Sequence, residues 1–373
     1  MLPNLKESQN KIEELESLRG IAACLIVLYH IPIWNQIINL NFIRNGYLMV
    51  QLFFVLSGYV IYISYAKKIK KVKDIFQFQF LRFGRIYPVH FIFLLVYIFF
   101  ELAKYIAQNK FDIISPNTQP FRENNFIAIF QNIFLIQAIG PTGNTTSFNG
   151  PAWSISVEFY TYFLFALIIL YFEKIKIYIF SIIVLCSLVL IITKNDFGFD
   201  SLLQCFSGFF FGCTIAFLKD NIYIRFNKYL SSMIFIGMII FLLFKTENAY
   251  DPYIFILSSF LILTLTFNEK GFLNEFLKIR FLTWLGKISF SLYMSHYCVI
   301  WIVNQFIRVI LKKNEIFIYN KSTPQLGIIE TIICIVIIIP IILLMSKLVY
   351  EYIETPFRLK SRKYAYNKMI KAI

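Results

Sequence analysis

Charge is scarce in this sequence. Asp, Glu, Lys and Arg make up 15% of the 373 residues, against 58% hydrophobic and 19% aromatic, whereas a soluble domain carries about 25% charged residues. An ordinary water-soluble fold is excluded, and a mean hydropathy of +0.66 makes the bilayer the solvent. Acidic groups are scarcer than basic ones, 21 against 36, for a net charge of +15. In a membrane chain the placement of that excess matters more than its sum, so no nucleic-acid partner is expected. The six cysteines (Cys24, Cys186, Cys205, Cys213, Cys298, Cys334) fall inside apolar stretches without ligand spacing, which gives no reason to expect a disulfide framework or a metal site. Residues 1–17 carry Glu7, Glu13, Glu14 and Glu16 and lack an apolar core with a small-residue cleavage site. They do not read as a signal peptide, and the first span is expected to serve as the insertion signal. Neither an internal repeat nor an inverted pair of interrupted spans is visible, the feature that would point to a secondary transporter.

What the sequence does have is apolar runs. A spanning helix needs roughly 20 such residues, and they recur at 19–40, 46–65, 86–106, 152–172, 176–193, 199–218, 229–244, 251–267, 284–311 and 325–350. The expected fold is an all-α polytopic membrane protein of about ten transmembrane helices. Residues 1–18 would form a cytoplasmic N-terminal segment, 19–358 the membrane domain and 359–373 a basic cytoplasmic tail. Residues 126–139 are apolar but too few to span, which suggests an interfacial or re-entrant helix. With the N-terminus inside, 24 Lys and Arg fall on the inner side, among them Lys6, Lys11, Lys67, Lys70, Arg225, Lys270 and Lys371, against eight outside. The excess places both termini in the cytoplasm. The loop 140–151, rich in Gly, Asn and Thr, would form an external lip over a site. Gly208 and Gly212 have the spacing of close helix packing.

Ionisable groups inside spans cost about 2.5–3.5 kcal/mol each on insertion scales, so the few present are informative. Arg19 and His30 are roughly 16 Å apart along one helix. Arg19 reads either as a snorkelling end residue or as a ligand for a substrate. His30, expected near mid-membrane, is either a satisfied structural imidazole or a base for removing a hydroxyl proton. Ser154 and Glu158, four apart after Pro151 and Trp153, share a helix face. Glu158 is expected at a depth similar to His30, where it would orient the imidazole or hold two helices together. Arg82 and Arg85 would present two guanidinium forks suited to phosphate, or contact lipid headgroups as part of a basic loop. Tyr293 and His296 share a face of the ninth span, with Ser289 and Ser291 nearby. His90 is expected to be exposed, with a structural or incidental role.

These pieces resemble acyltransferase family 3, the bacterial membrane O-acyltransferases. The resemblance runs from Glu16 to about Arg358. Its motifs are Glu16-Ser17-Leu18-Arg19-Gly20-Ile21-Ala22 with Tyr29-His30; Phe53-Phe54-Val55-Leu56-Ser57-Gly58-Tyr59; Arg82-Phe83-Gly84-Arg85-Ile86-Tyr87-Pro88; Trp153-Ser154 with Glu158; Ser289-Phe290-Ser291-Leu292-Tyr293 with His296; and Glu354-Thr355-Pro356-Phe357-Arg358. The chain departs from the family at Gln51 and Glu16, where aspartate is frequent.

The resemblance implies a multi-pass protein of the bacterial inner membrane, with no permanently bound cofactor. It would take acyl-CoA, acetyl-CoA first, as cytoplasmic donor and an extracytoplasmic or lipid-linked glycan hydroxyl as acceptor. His30 would be the base or transient acyl carrier, aligned by Glu158, with His296 a second catalytic polar group. Arg82 and Arg85, with Arg19, would hold CoA phosphates, and Trp153, Ser154 and Tyr293 would line the substrate site. Some family members carry a fused hydrolase-like domain; the chain ends about 15 residues after Arg358, so transfer would be completed alone or with a separate periplasmic or extracellular partner. The rival class is a transporter or flippase of a glycan lipid, in which the same buried polar groups form a path.

Overall fold

The computed structural model describes residues 12–222, 226–267, 271–319 and 321–370, with side chains to residue 367. Lys6, Lys11, Arg225, Lys270 and Lys371 of the charge argument lie outside the described residues. Each apolar stretch holds a helix. In chain order these are α1 (Glu13–His30), α2 (Asn41–Arg44), α3 (Met49–Tyr65), α4 (Val72–Phe111), α5 (Phe126–Ile133), α6 (Trp153–Tyr171) and α7 (Lys176–Ile192). There follow α8 (Asp200–Asn221), α9 (Leu230–Phe244), α10 (Tyr253–Phe267), α11 (Phe272–Leu277), α12 (Arg280–Val309), α13 (Ile328–Val349) and α14 (Thr355–Ile370). An antiparallel hairpin, β1 (Glu315–Ile318) with β2 (Lys321–Pro324), joins α12 to α13. Among the described residues six helical stretches are long and apolar enough to cross a membrane: Asn41–Tyr65, Val72–Phe111, Gly150–Tyr171, Asp200–Asn221, Asn248–Phe267 and Ile328–Asn367. α7 and α9 are apolar but shorter. α1 and α12 are absent from both groups, and these two carry buried polar chemistry.

Local sequence explains where the helices differ from expectation. α1 starts at Glu13, its first turn carrying Glu13, Glu14 and Glu16, which suits the positive end of the helix dipole. It stops at His30 because Pro32 pushes Ile31 into extended backbone. The first span is therefore not 19–40, and His30 ends a helix rather than sitting at its middle. α4 begins where the Asp74 carboxylate accepts from the Lys70 and Lys71 amides at 3.0 and 2.9 Å. Its 40 residues make a rod of about 60 Å, so the span expected at 86–106 is its second half. Arg82 and Arg85 lie inside that helix, not in a loop. α5 has 8 residues, about 12 Å, too short to cross, and its Phe126, Ile127 and Phe130 face outward, as does Phe134 just past its end.

Two helix pairs set the core. α3 and α8 run in the same direction, with Gly208 against Gln51 and Phe54 and Gly212 against Val55 and Tyr59. A Cβ on Gly208 would stand 2.7 Å from the Phe54 Cβ, closer than packed atoms approach, so the small-residue pair does serve close packing. α1 and α12 are also parallel, touching where a Cβ on Gly20 would come 2.7 Å from the Gly286 amide nitrogen.

The loops gather at two ends. At the Arg19 face, Lys67 pairs with Asp220 at 2.8 Å, Lys278 with Glu14 at 3.5 Å, and Gly84 lies against Ser361. At the His30 face, Asn45 Nδ2 donates to Lys245 O at 2.9 Å, the Leu326 amide to Trp34 O at 2.8 Å, and Asn117 Nδ2 to Ser322 O at 3.0 Å. Lys67 and Lys278 thus lie at the first of these faces and Lys245 at the second.

Candidate active site

The contact of Gly20 with Gly286 fixes the register of α1 on α12, and ten residues further along both helices come His30 and His296. His296 Nε2 lies 3.2 Å from His30 Nδ1. His30 Nδ1 is also 2.9 Å from Ile26 O, and His296 Nδ1 is 3.1 Å from Leu292 O. A carbonyl only accepts, so both Nδ1 atoms carry the proton. His296 Nε2 then accepts from the shared His30 Nδ1–H, which leaves His30 Nε2 as a lone pair without a partner among the described residues. His296 is fully buried whereas His30 is partly open, so the free nitrogen belongs to the ring that a substrate can reach. The rings of Tyr29 and Tyr297 stand 4.9 and 5.4 Å from His30.

Next to the histidines, the Tyr293 hydroxyl donates to Pro151 O at 2.8 Å and meets Ser154 Oγ at 2.9 Å. Trp153 packs edge-on against Phe54 at 5.9 Å. Gly150 faces Tyr297 and Ser154 faces Tyr293, so α6 runs antiparallel to α12. Four residues beyond Ser154, Glu158 is level with Ser289, and at 1.5 Å per residue it is about 10 Å from the level of His296. The expected alignment of His30 by Glu158 is not what the fold provides: the two do not share a depth, because α1 ends earlier than its apolar run suggests.

Glu158 belongs to a second, charged tier toward the Arg19 face. Its carboxylate is an electrostatic neighbour of Arg19, Arg85 and Tyr293 and bonds Tyr162, whose hydroxyl is 2.9 Å from Ser57 Oγ. Arg19 donates to Leu56 O at 3.4 Å. Arg82 and Arg85 share a helix but not an environment. Arg82 is buried, donates to the Tyr65 hydroxyl at 2.9 Å and lies over the Tyr65 ring, while Arg85 faces Glu354 and Glu158. His90, expected to be exposed, is 1% exposed and held 2.9 Å from Asn132 O.

Residues 12–347 match the sequence profile of acyltransferase family 3, described as an acyltransferase domain. The chain belongs to acyltransferase family 3. It is similar to the O-acetyltransferase OatA of Staphylococcus aureus (strain NCTC 8325), 27% identical over 94% of this chain and 57% of that protein. It is also similar to the peptidoglycan O-acetyltransferase OatA of Listeria monocytogenes, 22% identical over 94% and 56%. The chain thus spans about half the length of these curated relatives. No solved structure matches it.

Within this acyltransferase family 3 chain, one site residue was visible in a motif yet had no role assigned. Glu354 ends a π-helical turn, Tyr350–Glu354, between α13 and α14. It is 2% exposed, accepts from Ser291 Oγ at 2.7 Å and is the leading charge partner of Arg85. A carboxylate at the end of so apolar a run is the signal that marks it. Ser291 thereby gains a function as the donor that fixes this carboxylate.

Proposed function

We propose that the chain is a membrane O-acyltransferase that moves an acyl group, acetyl in the first instance, from acyl-CoA to a hydroxyl of a cell-surface or exported glycan. In this reading ten helices cross a bacterial inner membrane, the Arg19 face and both termini are cytoplasmic, and the His30 face is external. The observation that carries it is the uncommitted Nε2 of His30, on a ring whose other nitrogen is held by Ile26 O and His296. The acceptor hydroxyl gives its proton to that nitrogen as its oxygen attacks the thioester carbonyl. The C–S bond breaks, and the CoA thiolate takes the proton back from His30, leaving an ester and a free thiol. A positioned base contributes about 10²–10⁴-fold to such a step.

His296 acts as the group that holds the base in one tautomer. Arg19, Arg82 and Arg85 supply guanidinium groups for the donor phosphates, with Glu158 and Glu354 setting their positions, and Trp153, Ser154 and Tyr293 line the passage between the tiers. The name of the Listeria relative supports a glycan acceptor. The test is transfer of labelled acetyl from acetyl-CoA to glycan by purified protein. The His30→Ala variant is expected to lose transfer while eluting as a folded species and still binding acetyl-CoA. Near-normal turnover by that variant would remove the base. Label retained on wild-type protein without acceptor would point to an acyl-histidine intermediate instead.

A further inference from the structure

We infer that the mouth above His30 selects an acidic acceptor, a saccharide carrying a carboxylate near the hydroxyl to be acylated, and that Arg44 and Lys321 bind that carboxylate. The inference rests on the functional reading above and adds the acceptor's charge.

Most bases whose partners are visible at the His30 face are neutralised locally. Lys245 pairs with Asp251 at 2.7 Å, Arg308 with Glu315 at 2.7 Å, Lys313 with Glu330 at 2.6 Å and Lys104 with Glu101 at 2.5 Å. Arg44 and Lys321 are the two lysine or arginine charges that act on His30, and among the described residues neither forms an ion pair. Arg44 spends its terminal nitrogens on carbonyls at the end of α1 and just beyond it, reaching Leu28 O at 3.3 Å and Ile31 O at 3.3 and 3.4 Å. Its Nε is buried and has no partner among the described residues. These bonds hold the guanidinium beside the ring of Tyr29, 5.9 Å from its centre, and Tyr29 contacts His30.

Lys321 opens β2 of the hairpin and is exposed. Just past the hairpin, the chain is fastened to the segment that follows α1 by the Leu326 amide on Trp34 O and by Asn35 Nδ2 on Leu326 O at 2.9 Å. Tyr319, 81% exposed with φ of 48° at the turn, is an electrostatic neighbour of Arg44. Aromatic faces beside two cations suit an acidic sugar ring. Two unpaired cations beside a base also repel the positive charge that the base acquires on taking a proton. An anion brought in by the acceptor cancels that repulsion, so the site becomes fully competent only when the acidic acceptor is bound.

The experiment measures binding, without transfer, to purified protein in phosphatidylcholine nanodiscs. Two probes of equal length are titrated, a β-linked glucose tetrasaccharide and its counterpart containing glucuronate. The glucuronate probe is expected to bind about tenfold more tightly at low salt, with the preference shrinking as salt rises. Lys321→Glu should bring the ratio of the two affinities to one or below. Arg44→Gln risks unseating the end of α1, so Lys321 carries the test. Equal affinities in the wild type, no binding of either probe, or an unchanged ratio in Lys321→Glu each overturn the inference. Failure of acetyl transfer in the separate assay would instead remove the functional reading.

Discussion

Replacing Gly286 by alanine perturbs the histidine pair from a distance. A Cβ at Gly286 falls on Glu16 O, and its neighbour Gly20 has no slack, since a Cβ there meets Gly286 N and the Leu285 Cβ at 2.7 Å. The obstacles are backbone, so α1 and α12 must part by about 1 Å for ordinary contact. Overpacking of this kind costs about 1–3 kcal/mol. The His30 to His296 contact is 3.2 Å; a shift of about 1 Å carried along parallel helices takes it beyond hydrogen-bond range. Misplacement of about 1 Å at a reacting group can cost about 10²-fold in rate. Gly286→Ala is therefore expected to unfold at a lower temperature and to lose acetyl transfer by about 10²-fold while still inserting in the membrane. Gly237→Ala is the control: nothing lies within 4 Å of a Cβ there, and alanine favours the helix by about 1 kcal/mol. Wild-type stability and turnover in Gly286→Ala would refute the idea that this contact sets the site.

Two further outcomes are expected. Arg85→Met and Glu354→Gln should couple in a double-mutant cycle of thermal stability by about 0.5–3 kcal/mol, because each single change leaves a charge facing its lost partner; strict additivity would separate the two residues. Cysteine at Asn144 should react with an impermeant thiol reagent in intact cells and cysteine at Lys70 only after permeabilisation, and the opposite pattern would invert the topology.

Much of the fold was legible because hydropathy and basic residues are one-dimensional signals. Every apolar run contains a helix. Gly208 and Gly212 were readable for the same reason, since their spacing lies within one helix. The site was less legible because its geometry depends on registers between helices. Pro32 was present in the sequence, yet the apolar run through Ile33 and Trp34 masked the helix end. That error moved His30 toward the level of Glu158 and suggested a pairing the fold does not make. Gly20 and Gly286 gave no warning separately, since each is an isolated glycine whose meaning is the other. Arg82 and Arg85 looked alike at spacing three and diverge because Tyr65 takes one and Glu354 the other.

The histidine pair joins residues 266 positions apart, and this bears on how the molecule is made. At about 5–20 residues per second of synthesis, the first helix waits on the order of ten to fifty seconds for its partner. During that interval it carries Glu16, Arg19 and His30 with Gly20 opposite lipid or another segment. The histidine contact must then be among the last features the nascent chain acquires. A chain truncated before the ninth expected span would keep most of its helices yet leave His30 without His296 beside it.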